Sequence, residues 1–341
     1  MKKIFILLLL VCLMGCAKIN DFIKSDELLD MGYDEKTVSM IEEYGIRENV
    51  MKYPYNENLK TLIEDPSFIK ENIDEYLSLN ELKTDDCLMV VNRGYTDDVE
   101  EYSEDLLNLM RTDYYLHSRH QRYLEMVNNG YSYRDAIEIV NAYRDYEAYT
   151  YTIDSNLGDD ILMIANKYYT LNDYVPDDLV SIDGNYGIEG YMREEAYNAY
   201  VKMADDASMD GMSLWITSPY RSYSSQNRIY NSYLENDPQY IVDTYSSRPG
   251  YSDHQTGLTA DIIAPGYDFG SFAYSDEFKW LSENAYKYGF ILRYPKGKEN
   301  ITGYTYESWH YRYVGEKVAS YIHDTGITFD EYYAYFISGE H

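Results

Sequence analysis

The chain has 341 residues, of which 45% are hydrophobic, so it is long enough to bury the cores of two domains. Its 59 acidic and 29 basic side chains give a formal net charge of -30 at pH 7. Because nucleic-acid phosphates and anionic lipids are bound by basic faces, this charge argues against a nucleic-acid partner. It also argues against electrostatic attachment to a membrane or to wall polymers.

The start of the chain predicts export. Two lysines precede an apolar run over residues 4–13, which is too short to span a bilayer and is typical of a secretory signal. The following segment, LMGC at 13–16, resembles the lipobox of bacterial lipoproteins; an ordinary signal peptide with an incidental Cys16 is the alternative. The resemblance implies a signal peptide at residues 1–15 and lipidation of Cys16. The protein is then expected to be extracytoplasmic and anchored to the outer face of the cell membrane by acyl chains.

Residues 16–155 are predicted to be mostly helical, because apolar side chains recur there at helical spacing and few glycines or prolines interrupt them. A weak repeat is present. Gly32-Tyr33 and Gly130-Tyr131 each precede a helical pattern, with Asp34 and Ser132 as candidate caps, and Gly94-Tyr95 is a degenerate third copy. Short helical units of this kind stack or act as a spacer, so a stalk is the simplest interpretation. Binding of a wall component or partner is the alternative.

Residues 156–341 have a different pattern. Helices are predicted at 193–207 and 278–288, and strands at 214–216, 258–263, 290–292 and 309–314. Helices grouped with a small sheet of antiparallel strands indicate an α+β class.

Two segments of this region hold side chains suited to a metal site: SDHQTGLTADI at 252–262 and YESWHYRYVG at 306–315. Zinc favours imidazole and carboxylate ligands, and a catalytic zinc uses three protein ligands and leaves one position for water. His254, Asp261 and His310 meet that count. Glu307 is a further carboxylate that could move a proton from the water to a leaving amine.

The spacing excludes a HExxH helix, since His254 and Asp261 are not four residues apart. The intervening Gly257 and the apolar Ala260 and Ile262 favour a turn that leads into a strand. Asp261 then lies on the face opposite to those two apolar side chains. Each motif alone is more often a surface or core pair, so the prediction depends on their conjunction.

Together the two segments resemble the SxHxxGxAxD and ExWH signatures of the VanY-type D-alanyl-D-alanine carboxypeptidases, which are peptidoglycan-cleaving zinc peptidases. SLWITSPYRSYSSQ at 213–226 resembles the strand of that family with its Tyr-Arg-Ser turn and Gln, and NKYYTLNDYVPDDLV at 166–180 resembles the opening segment of its domain. The resemblance covers about residues 156–330. Pro219 and Thr259 depart from the usual pattern without touching a ligand position.

The resemblance implies a fold in which helices flank a small central antiparallel sheet with zinc at one edge. It implies that the domain at 156–341 binds Zn²⁺ through His254, Asp261 and His310, with Glu307 as the base.

Arg221 is implied to face the scissile carbonyl or the substrate carboxylate. It follows a short apolar run that should end a buried strand, where a guanidinium can be held rigidly towards a cleft. Ser252 and Gln226 are weaker candidates for substrate contact, because either could serve only to order a loop.

The implied activity is removal of the C-terminal D-alanine from peptidoglycan stem peptides. An L,D-carboxypeptidase that acts on tetrapeptide stems is the alternative within enzymes, because that activity also occurs among VanY-type sequences. A non-catalytic wall-binding lipoprotein is disfavoured, because all three ligands and the base are present.

Overall fold

A computed structural model describes residues 27–155 and 160–338. The predicted signal peptide and lipidation site, residues 1–16, lie outside the described residues. The chain divides into two compact units between Arg111 and Thr112, whereas the sequence pattern changes at residue 156. Within the described ranges, no helix combines the length and the apolar character needed to cross a bilayer.

The first unit, as far as it is described, is built from helices around buried apolar side chains such as Ile41 and Leu59. A 3-10 turn at Lys70–Asn72 precedes its fourth helix. The helices are α1 (Glu35–Tyr44), α2 (Arg47–Val50), α3 (Leu59–Glu64), α4 (Ile73–Ser78), α5 (Thr84–Asn92) and α6 (Glu104–Arg111).

The second unit mixes helices with short strands, as the sequence predicted. Its helices are α7 (His120–Asn128), α8 (Tyr133–Asn141), α9 (Glu194–Met209), α10 (Tyr223–Leu234), α11 (Gln239–Tyr245), α12 (Asp276–Asn284), α13 (Glu299–Thr302), α14 (Glu316–Thr325) and α15 (Phe329–Phe336). Its strands are β1 (Ile153–Asp154), β2 (Tyr169–Thr170), β3 (Leu179–Ser181), β4 (Tyr191–Arg193), β5 (Trp215–Ser218), β6 (Thr259–Ile263), β7 (Phe290–Leu292) and β8 (His310–Tyr313). It also has 3-10 turns at His117–Arg119, Asp253–Thr256, Phe272–Tyr274 and Ala285–Tyr288.

The Gly-Tyr repeat is present at two of its three expected positions. Asp34 accepts a hydrogen bond from the backbone N–H of Thr37 at the start of α1, and Ser132 caps α8 in the same way. The third copy is wrong, because Gly94 follows the end of α5 and the next helix begins only at Glu104.

Each unit also contains one copy of a tyrosine–asparagine pair in which the tyrosine is buried. The hydroxyl of Tyr76 donates to the side-chain oxygen of Asn92, and the hydroxyl of Tyr123 donates to that of Asn141. The amide of Asn92 donates at 2.9 Å to the carbonyl of Ser67, shortly before the 3-10 turn at Lys70–Asn72. The amide of Asn141 donates at 2.9 Å to the carbonyl of Tyr114, shortly before the 3-10 turn at His117–Arg119. The match of two separate contacts supports an internal repeat that is longer than the Gly-Tyr signature.

The central sheet of the second unit has the strand order β5-β6-β8-β7, and each neighbouring pair is antiparallel. Its core face packs on α9 through fully buried side chains that include Ala260, Ile262 and Tyr200. Asp261 lies directly opposite His310 across β6 and β8. These are the two central strands, so the expected site at an edge of the sheet is corrected to one at the end of the central pair.

Gly257 makes the turn between the 3-10 segment that holds His254 and strand β6. Its φ of +70° is in the left-handed region. A Cβ atom there would lie 2.9 Å from Cγ of Arg193 and 3.1 Å from Cδ2 of Leu179. Both the backbone conformation and the close packing therefore require glycine.

We expect Gly257→Ala to lower the free energy of unfolding more than Gly211→Ala does. Both glycines have a left-handed φ, +70° at Gly257 and +82° at Gly211, so each alanine carries a penalty of about 1–2 kcal/mol. Only at Gly257 does the added methyl also meet neighbouring atoms, which adds about 1–3 kcal/mol. Chemical denaturation of the three proteins measures the difference, and equal losses would contradict the packing argument.

Candidate active site

A cavity of about 530 Å³ opens beside the central sheet. Hydroxyl and aromatic side chains form much of its wall, including Tyr233, Tyr245 and Trp309. Three carboxylates and two histidines lie at its base, and Arg221 is the only lysine or arginine among the described residues that line it. The cavity therefore offers one cationic group beside a cluster of metal-ligand side chains.

Three of the predicted residues converge at the base of the cavity. His254 comes from the 3-10 turn before β6, Asp261 from β6 and His310 from the first position of β8. One ligand atom from each lies within 4.8 Å of the others, and all three residues are buried. Among the described residues, no other group of three such side chains converges in this way.

The polar atoms of the cluster are directed at one another. Oδ1 of Asp261 lies 3.4 Å from Nε2 of His254 and 3.3 Å from Nδ1 of His310. Oδ1 is buried and has no hydrogen-bond partner. An unsatisfied buried carboxylate oxygen is costly, so this atom fits a role as a cation ligand.

The ring of His254 is oriented by the backbone. Its Nδ1 lies 2.9 Å from the carbonyl oxygen of Pro219, and because a carbonyl only accepts, Nδ1 carries the hydrogen. The lone pair of Nε2 then faces the cluster. Burial lowers the pKa of His254, which favours the neutral imidazole that a metal requires.

His310 is surrounded by acidic side chains. Burial by itself lowers its pKa, but the carboxylates of Asp253, Asp261 and Glu307 raise that pKa well above the ordinary value.

Glu307 lies beside the cluster without being one of its three members. Its Oε2 is 3.1 Å from Nδ1 of His310, and its side chain is 14% exposed. Burial raises the pKa of the Glu307 carboxyl, and the hydrogen bond to His310 opposes that rise. A raised pKa makes a carboxyl a stronger base when ionised, which suits a group that takes up a proton.

Arg221 is held rigidly in the cavity wall. Its guanidinium donates to Oε1 of Gln226 at 2.9 Å and to Oγ of Ser218 at 2.7 Å. Its backbone N–H donates to the carbonyl of His254 at 3.2 Å. The guanidinium has further N–H groups beyond these, which can donate to a ligand in the cavity.

The two weaker candidates lie near Arg221 but differ in role. Gln226 is 1% exposed, and its amide donates to the carbonyl of Ser247 at 2.6 Å while its oxygen accepts from Arg221. It therefore supports Arg221 and is not free to bind a ligand. Ser252 is 3% exposed and lies in the cavity wall next to the 3-10 turn.

Asp253 was missed by the sequence reasoning. It is buried, and its Oδ2 lies 3.5 Å from Nε2 of His310, on the side of the ring away from Asp261. Arg312 donates to its Oδ1 at 2.5 Å. The sequence did offer a signal for this contact. Asp253 directly precedes His254 in the first motif, and the basic Arg312 follows His310 by two positions, on the same face of the strand.

The sequence is similar to those of known carboxypeptidases. The model of the VanY family, described as D-alanyl-D-alanine carboxypeptidase, matches residues 189–316. A putative carboxypeptidase, YodJ, of Bacillus subtilis is 41% identical over 184 residues, which are 51% of this chain and 67% of that protein. A D-alanyl-D-alanine carboxypeptidase of Enterococcus faecium is 30% identical over 225 residues, which are 63% of this chain and 71% of that protein.

A solved structure is also similar. The LdcB LD-carboxypeptidase is 39% identical and superposes with a TM-score of 0.51, covering 53% of this chain and 89% of that one. The identity and coverage of these relatives, together with the matched signature segments, show that this chain belongs to the VanY-type D-alanyl-D-alanine carboxypeptidase family.

Proposed function

We propose that this chain is a zinc-dependent carboxypeptidase that removes the C-terminal D-alanine from peptidoglycan stem peptides. The observation that carries the proposal is the convergence of His254, Asp261 and His310 at the base of a cavity that also holds Glu307 and Arg221. Family membership supports the carboxypeptidase activity. The two imidazoles and one carboxylate that converge there support zinc as the metal.

The three side chains fit a zinc ion. Nε2 of His254, Oδ1 of Asp261 and Nδ1 of His310 would supply two imidazoles and a carboxylate, the three-ligand set of catalytic zinc sites that leave room for water or substrate. When bound, zinc polarises a carbonyl oxygen and lowers the pKa of a bound water to about 7.

Glu307 is proposed as the general base and acid. Its Oε2 takes the proton of the attacking water and returns it to the nitrogen of the leaving D-alanine. The burial that raises its pKa suits both steps, since the same group must accept and then release one proton.

Arg221 is proposed to bind the substrate. Held by Gln226 and Ser218, its guanidinium can donate two parallel hydrogen bonds to a terminal carboxylate, or one to the oxyanion that forms at the scissile carbonyl. A carboxypeptidase must recognise a free C-terminus, and Arg221 is the only lysine or arginine among the described residues of the cavity wall.

An L,D-carboxypeptidase that shortens tetrapeptide stems is the second candidate. It is favoured by the likeness to the LdcB LD-carboxypeptidase. The D,D activity is preferred because the family model and the enterococcal relative are both described by it.

We expect the purified protein to convert a pentapeptide stem to a tetrapeptide and to leave a C-terminally amidated pentapeptide intact. The amide removes the carboxylate that Arg221 would pair with. Mass spectrometry of the two peptides and of a tetrapeptide stem, offered side by side, measures the products. Conversion of tetrapeptide to tripeptide would establish L,D specificity instead. Equal cleavage of the amidated peptide would contradict the carboxypeptidase assignment.

Two substitutions should separate metal binding from proton transfer. Glu307→Gln should keep one equivalent of zinc and lose about 10²-fold to 10⁴-fold in rate, because the amide cannot accept a proton. His254→Ala should lose both zinc and activity while it stays folded. Metal analysis, circular dichroism and turnover measure these outcomes. Glu283→Gln, at an exposed position on α12, is the control. Full zinc content in His254→Ala would refute the ligand assignment.

The protein is also proposed to be an extracytoplasmic lipoprotein, anchored to the outer face of the cell membrane through Cys16, with the helical region as a spacer. The lipobox resemblance supports the anchor.

We expect Cys16→Ser to move the protein from the membrane fraction to the soluble fraction or to block its processing, because the acyl chains are lost. Cys12→Ser, inside the proposed signal peptide, should leave the attachment unchanged. Fractionation and immunoblotting of cells that express each variant test this. Normal processing with retained attachment in Cys16→Ser would rule out the anchor.

A further inference from the structure

We propose that Asp253 is a positioning residue that holds the ring of His310 so that Nδ1, rather than Nε2, faces the metal position. The inference rests on the proposed function, because it assigns a role towards the zinc ligands. Asp253 itself touches neither the metal position nor the substrate in this role; it acts through His310.

The geometry of the ring carries the proposal. Nδ1 of His310 faces Oδ1 of Asp261 at 3.3 Å and Oε2 of Glu307 at 3.1 Å. Nε2 lies on the other side of the ring, is buried and has no hydrogen-bond partner, and Oδ2 of Asp253 is 3.5 Å from it. When Nδ1 serves as a ligand, Nε2 must carry the hydrogen, and a buried N–H requires an acceptor. Oδ2 of Asp253, at 3.5 Å, is the carboxylate oxygen positioned to accept that hydrogen.

Asp253 is itself immobilised. Its side chain has no exposed surface, and Oδ2 also accepts from the hydroxyl of Thr259 at 2.6 Å. Oδ1 accepts from Arg312 at 2.5 Å. Arg312 is fixed in turn, because its other donors reach the carbonyls of Ile161, Met163 and Tyr313 at 2.6–2.9 Å. The carboxylate is therefore a rigid reference point for the ring.

Two guanidinium groups lie beside Asp253. Arg312 is in direct contact with its Oδ1, and Nε of Arg293 lies 3.9 Å from its Oδ2. Arg293 is also paired with Asp330. A carboxylate that accepts a hydrogen bond from a metal-bound imidazole fixes the tautomer of the imidazole and increases the basicity of the imidazole. His254 has only a neutral carbonyl in the equivalent place, so the two histidines are held by different kinds of acceptor.

The test compares Asp253→Asn with Asp330→Asn. Both change a buried aspartate that is paired with a buried arginine, but only the first faces His310. We expect Asp253→Asn to weaken zinc affinity by about 10-fold to 100-fold, the usual effect of removing a hydrogen-bond partner of a metal-bound histidine. We expect the zinc affinity of Asp330→Asn to stay within about 3-fold of the wild-type affinity. Competition with a chromophoric chelator measures the affinity. Wild-type affinity in Asp253→Asn, or equal losses in both variants, would overturn the proposal.

A measurement on the unaltered protein keeps the proposal testable if Asp253→Asn does not fold. In zinc-loaded protein with ¹⁵N-labelled histidine, the His310 spectrum should show Nε2 protonated, with a proton that exchanges slowly with solvent, and Nδ1 bound to metal. Metal on Nε2 would overturn the proposal. A protein that binds no zinc at all would instead contradict the proposed function, so the two failures are distinguishable.

Discussion

The register between β6 and β8 is the constraint on which the active site depends. It sets Asp261 directly opposite His310 and Thr259 opposite Arg312. Because side chains alternate across a strand, a slip of one residue would turn these polar groups towards α9 and move Ala260 out of the core. The requirement to bury the apolar face and the requirement to assemble the polar face therefore select the same pairing. The cluster of ligand atoms follows from that pairing and from the turn at Gly257, which brings His254 to the same end of the sheet.

Behind this cluster the protein buries four charges. Arg293 and Arg312 have no exposed side-chain surface, and each is paired with a buried aspartate, Asp330 and Asp253 respectively. Replacing a buried ion pair with apolar side chains of similar volume is often neutral or stabilising, so stability alone is a weak reason for such a network. Our proposal for Asp253 supplies another reason, since a fixed carboxylate behind His310 requires fixed cations around it. The same network joins the sheet to α15, on which Asp330 lies.

Helix α15 also explains why the second unit begins earlier than the sequence pattern indicates. Ser338, just after the helix, donates to the carbonyl of Asn141 at 3.1 Å, and its own carbonyl accepts from Arg119 at 2.7 Å. Tyr335 donates to Glu138 on α8 at 3.3 Å. Helices α7 and α8 thus pack in the same unit as the catalytic sheet, although their sequence resembles that of the helices before them. If the helical region is a spacer, these contacts make its last part continuous with the enzyme.

The sequence by itself determined the features that depend on neighbouring residues. Short apolar runs predicted strands that match β5 to β8, and local polar groups predicted the caps at Asp34 and Ser132. The composition and spacing of two short motifs selected the residues that meet in the cavity. Only the tertiary structure decided the contacts between distant segments. It paired Asp253 with His310, placed Gln226 behind Arg221, and put the site on the central strands instead of at an edge. Periodicity shows which face of an element is buried, but which atoms lie opposite that face is determined by how separate elements pack.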